Sequence, residues 1–266
     1  MEKFSARRLA TLLFSLALLL GAFAACHKKS GPATPAQSAA PGSGAEASPP
    51  EITGPVTPAL VKQNDPNSIT HYLHFPKDPA VAKVDGAVQF FCDLTETGNV
   101  ETTHALVAKN DAFKQAVQTA LDWGRFTPAT VNGKAVRAYL GGTILFLHQN
   151  GSEVIVVSLA THDRDRVGKM ANYIQPQLIG GLRHALEKEI ASLTKGILVA
   201  GKAEVVVKVD AKGKVTGTSS ISENPKGSGL GLLLDAAMKK SHFTPAYENG
   251  TAAPGGVNIV ADFSRF

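Results

Sequence analysis

Cysteine, tryptophan and runs of like charge are nearly missing from this chain. Two cysteines and one tryptophan in 266 residues exclude a disulfide-built scaffold, which needs several bridges. No run of five or more like charges occurs. The formal charge is +5, but Glu2, Lys3, Arg7 and Arg8 fall in a leader-like start, and without them 24 basic residues face 21 acidic ones. So mild an excess leaves no footprint for a polyanion, and nucleic acid is not an expected partner. Catalytic signatures are absent too: no G-x-S-x-G, no H-E-x-x-H, no P-loop and no dinucleotide glycine pattern. His71 and His74 stand three apart with no cysteine or carboxylate at ligand spacing, so they read as an exposed pair rather than a metal site. His162-Asp163-Arg164-Asp165 reads as a solvated loop. Gly227, Gly229 and Gly231 follow Asn224-Pro225-Lys226 rather than a strand, and read as a turn. The expectation is a protein without catalytic, metal or cofactor residues.

What is present starts with a leader. Lys3, Arg7 and Arg8 precede an uncharged Leu/Ala-rich stretch, Leu9 to Ala25, the layout of an export signal. Ala22-x-Ala24 suits an ordinary signal peptidase. Phe23-Ala24-Ala25-Cys26 resembles a lipobox, in which Cys26 is acylated and becomes the new N-terminus. The uncharged stretch also reaches the lower length limit for a membrane anchor. Acylation at Cys26 is the preferred of these three fates, because a disordered tether follows directly. Pro32, Pro35, Pro41, Pro49, Pro50, Pro55 and Pro58 are spaced through Ala, Ser, Thr and Gly, a composition that buries too little apolar surface to fold. At about 3.1 Å per residue this linker spans at most roughly 110 Å.

Beyond the linker one pattern occurs twice. Val88, Phe90, Cys92 and Leu94 alternate with Gln89, Phe91 and Asp93; Ala203, Val205, Val207 and Val209 take the same phase. Period two signals a strand with one buried face, and it makes Cys92, aligned with Val207, a small apolar core residue. Gly98 and Gly213 stand where a hairpin turn needs positive φ. Phe113, Ala116, Val117, Ala120 and Leu121, behind Asn110 or Asp111 as cap, match Leu230, Leu233, Leu234, Ala237 and Met238 as one helical face. Phe126-Thr127-Pro128-Ala129 returns as Phe243-Thr244-Pro245-Ala246, and Asn132-Gly133 as Asn249-Gly250. The offset is 115 residues early in the pattern and 117 later, which places two extra residues in the loop 223–229. The Thr-Pro step ends each helix. Asn-Gly then turns the chain into a last strand, 138–147 or 256–263. Residues 141–148 and 153–160 flank Asn150-Gly151, a second hairpin signal. Leu178, Ile179, Leu182, Leu186, Ile190 and Leu193 predict an amphipathic connecting helix.

This order of elements, with Phe126, Pro128, Asn132 and Gly133 echoed by Phe243, Pro245, Asn249 and Gly250, resembles the TonB C-terminal domain family over about 86–146 and 201–263. The expected fold is α+β: two tandem β-β-α-β modules, each an antiparallel sheet covered by a helix, the first with an extra hairpin strand. The expected organisation is a signal peptide (1–25), a disordered linker (26–60), a first module (61–162), a connecting segment (163–200) and a second module (201–266). The resemblance implies a non-enzymatic periplasmic role, membrane-held through the N-terminal lipid or anchor, in which envelope proteins or peptides add a strand to a sheet edge. Since 153–160 would cover the first module's last strand, the expected binding edge is Gly256, Val257, Asn258, Ile259, Val260, Ala261, Asp262 and Phe263; the alternative is that this edge pairs with the first module or is simply short and exposed. A homodimer stays open, as do a structural scaffold and an energy transducer with an uncleaved inner-membrane anchor. Against the last, 9–25 contains Ser15 but no ionisable group to sense protonation.

Overall fold

Alternation between apolar and polar residues sets two central strands, and everything else is arranged around them. The computed structural model describes residues 52–193 and 200–266. The leader, Cys26 and residues 26–51 of the expected linker lie outside the described residues. In chain order the elements are β1 (Val56–Thr57), β2 (Leu60–Val61), a helical turn α1 (Ile69–Tyr72), β3 (Gly86–Leu94), β4 (Val100–Val107), α2 (Asp111–Trp123), β5 (Phe126–Thr127), β6 (Ala129–Val131), β7 (Lys134–Val136), β8 (Ala138–Gln149), β9 (Ser152–Ser158), β10 (Tyr173–Ile174), β11 (Leu178–Ile179), α3 (Gly181–Leu193), β12 (Lys202–Val209), β13 (Val215–Asn224), α4 (Leu230–Lys239), β14 (Ala246–Glu248), β15 (Thr251–Ala253) and β16 (Gly255–Asp262). The result is a mixed α+β protein with several antiparallel sheets. Among the described residues no helix is long and apolar enough to cross a membrane.

In the first half β3 lies between β4 and β8, and β9 continues the sheet beyond β8. Val88, Phe90, Cys92 and Leu94 meet Phe113, Val117, Ala120 and Leu121 of α2, with Phe126 closing the core. Asn110 starts the helix, its side chain accepting from the Ala112 amide at 2.8 Å, which satisfies one of the first turn's free donors. Cys92 is a free, fully buried thiol. In the second half β12 lies between β13 and β16. Ala203, Val205, Val207 and Val209 pack with Leu233, Leu234, Ala237 and Met238 of α4, Phe243, and Leu182 and Leu186 of α3.

Strand registers in the two halves correspond. Val88 faces Ile144 across β3 and β8, and Ala203 faces Ala261 across β12 and β16; these are the 115- and 117-residue offsets. Cys92 faces Thr103, and Val207 faces Thr218. The 115 offset still holds where Glu204 faces Ser222, so the two extra residues fall between Ser222 and Leu230. Gly98 and Gly213 turn their hairpins at φ +81° and +79°, each so close to the carbonyl oxygen of Phe126 or Phe243 that a Cβ would collide with it. Only glycine fits both conditions.

Four expectations are corrected. The Asn-Gly turns do not lead straight into the last strand; each closes a short hairpin of its own, β6–β7 or β14–β15, with Asn132 at φ 53° and Asn249 at φ 51°. Leu178 and Ile179 form β11 against β8 rather than opening the helix. Gly180 and Gly181 at φ +89° and +80° separate the two, and the helix starts at Gly181. The linker stops short of residue 60: Pro58 and Ala59 are buried, β1 pairs with β6, and β2 with β5. Finally, β3 buries both faces. Phe91 and Asp93 are 3% and 2% exposed, because α3 and the second half's core pack over the face expected to meet solvent.

The upstream strap (55–61) has a counterpart before the second half. Pro55 accepts from the Asn132 amide at 2.8 Å, and Asn172 accepts from the Asn249 amide at 2.9 Å. Val56 pairs with Val131, and Tyr173 pairs with Glu248, again 117 residues apart. The first strap also ties the halves together. The Gln177 side chain accepts from the Ala59 amide at 2.7 Å and donates to the Ala59 carbonyl at 2.9 Å. The Tyr247 hydroxyl donates to the Val56 carbonyl. The described residues form one compact unit.

Candidate interaction edges and a sealed polar centre

An antiparallel sheet leaves unpaired amides and carbonyls along its outermost strands, and those groups can template another strand. Among the described residues, the long strands at such positions are β9 and β4 in the first half and β13 and β16 in the second.

The edge expected to be bare, β16, is stopped at its middle. The Tyr139 hydroxyl donates to the Val260 carbonyl at 2.9 Å and accepts from the Val260 amide at 2.8 Å, so one side-chain group serves both roles a partner strand would fill. β4 lies alongside. Val257, Ile259, Ala261 and Phe263 are core residues. Gly256 is exposed, while Gly255, Asn258 and Val260 are half-buried. The strand ends at Asp262, which caps a 3-10 turn, Phe263–Arg265, by accepting from the Ser264 amide. Packing of the two halves against each other occupies the centre of that edge.

The other edges differ in regularity. β4 and β13 each carry two register shifts against their central strand, and bulges of this kind discourage further pairing. At the first shift in β4 Phe91 faces Ala105 while Cys92 faces Thr103, so His104 is the extra residue. In β13 the extra residue is Ile221, which is 51% exposed. β9 has no such interruption. Its seven residues pair with β8 in unbroken register, from Ser152 opposite Gln149 to Ser158 opposite Thr143. Val154, Ile155, Val156 and Val157 occupy its middle, with no proline, glycine or lysine. Ile155 and Val157 pack on the first core, and Glu153 and Ile155 line a groove of about 760 Å³ with Leu73 and Phe75. The extra strand was expected as a cover for β8. That it presents a new edge was not, although the unguarded Val-Ile-Val-Val run is a signal for it.

The bulge at His104 turns its ring inward to a sealed polar centre. Its Nε2 lies 3.0 Å from Asp93 Oδ2, and both residues are 2% exposed. Asp93 Oδ1 accepts from the Leu182 amide at 2.7 Å, a free donor of the first turn of α3. Phe266 stacks on the His104 ring at 5.6 Å. His104 Nδ1 has no hydrogen-bond partner. A carboxylate–imidazole pair becomes catalytic when it activates a nucleophile; this one meets none and is closed to solvent. Its geometry suits joining β3, β4, α3 and the C-terminus.

The remaining sequence candidates are placed as follows. His71 and His74 are exposed, and among the described residues no group of three or more His, Cys, Asp or Glu could hold a metal ion. His162 is not solvated as expected. It stacks on Phe91 at 4.4 Å, and burial lowers its pKa to about 4. Asp163, Arg164 and Asp165 are exposed. Burial pushes the Cys92 thiol well above its ordinary value, with the Asp93 charge adding to it, so the sulfur stays an unreactive thiol. The glycine loop before α4 is fastened by Glu223, whose carboxylate accepts from the amides of Gly227 at 2.8 Å and Gly231 at 2.9 Å. The Gly231 bond is the main reason its pKa is lowered. An internal anion thus fills the helix N-terminus that a phosphate would seek. Of the motif residues, Phe126 and Phe243 are core, and Pro128 and Pro245 break the chain between core and hairpin.

Comparison with family profiles, curated proteins and solved structures finds no match for this chain.

Proposed function

We propose that this chain is an exported, lipid-anchored periplasmic interaction protein, made of two copies of a TonB C-terminal-like module, that receives partner strands at its outer sheet edges. The duplication is supported by the matching registers of β3–β8 and β12–β16 and by the two straps that feed them. The observation that carries the binding reading is β9, an unbroken edge of β-branched residues without proline, lysine or a bulge. β13 is a second outer edge, ten residues long and polar, but interrupted by two bulges. Strand addition draws on main-chain groups, so it needs no special side chains.

Two measurements test this. Labelled palmitate should enter the wild-type chain and not Cys26→Ser; equal labelling would remove the lipid anchor from the reading. Affinity capture from envelope extracts, followed by amide exchange on the complex, should add protection along β9 or β13. Partner binding that leaves both strands as exchangeable as before would rule out strand addition. A scaffold reading is favoured by one observation, the interlocking of the halves through Tyr139 and Val260. It predicts no saturable partner at all.

A further inference from the structure

We infer that the partner strand at β9 is the β9 of a second copy of this chain, joined antiparallel about a two-fold axis through Ile155. The inference rests on reading β9 as a pairing edge, and it names the occupant. Two strands related by a two-fold axis normal to the sheet must pair residues that share a face, so the partners' numbers share parity. Centred on Ile155, Ser152 meets Ser158, Glu153 meets Val157, Val154 meets Val156 and Ile155 meets itself. The strand Ser152–Ser158 reads Ser-Glu-Val-Ile-Val-Val-Ser, so this register matches hydroxyl to hydroxyl at both ends and β-branched to β-branched through the middle.

Charge agrees with that register. Glu153 is the only charged residue of β9. It faces a valine, so the two copies bring no like charges into register, which would be destabilising. The surroundings agree as well. Ile155 and Val157 already pack on the first core; in the pair these faces become continuous, and both α2 helices stand on one side of the joined sheet. The chain's own tether is a poor occupant. Residues 27–51 contain five prolines and no Val, Ile, Leu or Phe, and proline has no amide to donate.

Single-cysteine cross-linking of the full-length chain in intact cells tests the pairing without removing its anchor. With Ile155→Cys the two thiols sit directly opposite, within the Cβ spacing of about 4.5–5.5 Å for such a pair. A covalent dimer is expected under mild oxidation. Val154→Cys alone should give little, because its opposite number is Val156; co-expressing the Val154→Cys and Val156→Cys chains should restore the dimer. Wild type supplies the background, its Cys92 being buried. Adding Val156→Lys to Ile155→Cys should abolish the cross-link, with protease resistance reporting that the chain still folds. Equal dimer from Ile155→Cys and Val154→Cys, or none from a folded Ile155→Cys chain, would overturn the inference. A chain that fails in this way but still gains protection on β9 from an envelope partner would leave the interaction reading standing and remove only the second copy.

Discussion

Asp93 is the residue on which most separate elements converge. It lies in β3, faces His104 on β4 and accepts from Leu182 at the start of α3. Truncating it strands two buried donors at once, whereas truncating His104 strands one acceptor. Asp93→Ala should therefore cost about 3–5 kcal/mol and His104→Ala about 1–3 kcal/mol. Urea unfolding of both variants and their double mutant would check this, and a coupling near zero would mean that the pair contributes little. His162 makes a pH statement. Its pKa is about 4 when folded and about 6.5 when unfolded, so between those values the unfolded chain binds more protons. The contribution is complete above pH 6.5 and is lost as pH falls toward 4, by at most about 3 kcal/mol. His162→Phe, which keeps the stack on Phe91, should flatten the fall in urea midpoint across that window; an unchanged slope would assign the pH dependence elsewhere. The burial of Asp93 and the half-burial of His162 were not readable. Asp93 falls on the polar phase of β3, and His162 stands in a charged tetrapeptide. Leu182, which binds Asp93, stands 89 residues along the chain from it, and Phe91, which stacks on His162, is also remote from it in sequence.

The long elements are the legible ones. β3, α2, β12 and α4 repeat apolar residues at period two or 3.6 over eight or more positions, and each forms where that periodicity puts it. The two-residue strands β1, β2, β10 and β11 offer no period to count, and Pro58 marked the first of them as linker. Their place is fixed by pairing with strands distant in sequence. The clasp of Gln177 on Ala59 should be the more consequential tie. Gln177→Leu fills the same volume but leaves the Ala59 amide and carbonyl unpaired, at a cost of about 1–3 kcal/mol. A thermal melt unmoved by that substitution would show that water replaces the side chain freely. The Asn-Gly turns were legible as turns. That they close separate hairpins was not, since Thr-Val and Lys-Ala-Val are too short to count as strands.

For the whole molecule, the halves should unfold together. Phe91 and Tyr139 belong to the first sheet by sequence and to the second core by packing, so neither half closes its core alone. Calorimetry should give one transition with matching calorimetric and van't Hoff enthalpies; two resolved peaks would show that the halves are independent. Tyr139→Phe keeps the ring, removes both bonds to Val260, and should lower that single transition by about 1–3 kcal/mol. The repeated sequence pattern does not fix how the halves meet, because alternation marks one buried face of a strand and does not say what covers the other. One consequence lies in how the chain enters the fold. Residues 55–61 grip the hairpin of one half while Gln177 and Tyr247 of the other grip them. Any tug transmitted from upstream of Ile52 would arrive first at this handle, and so at the seam that holds the two halves closed.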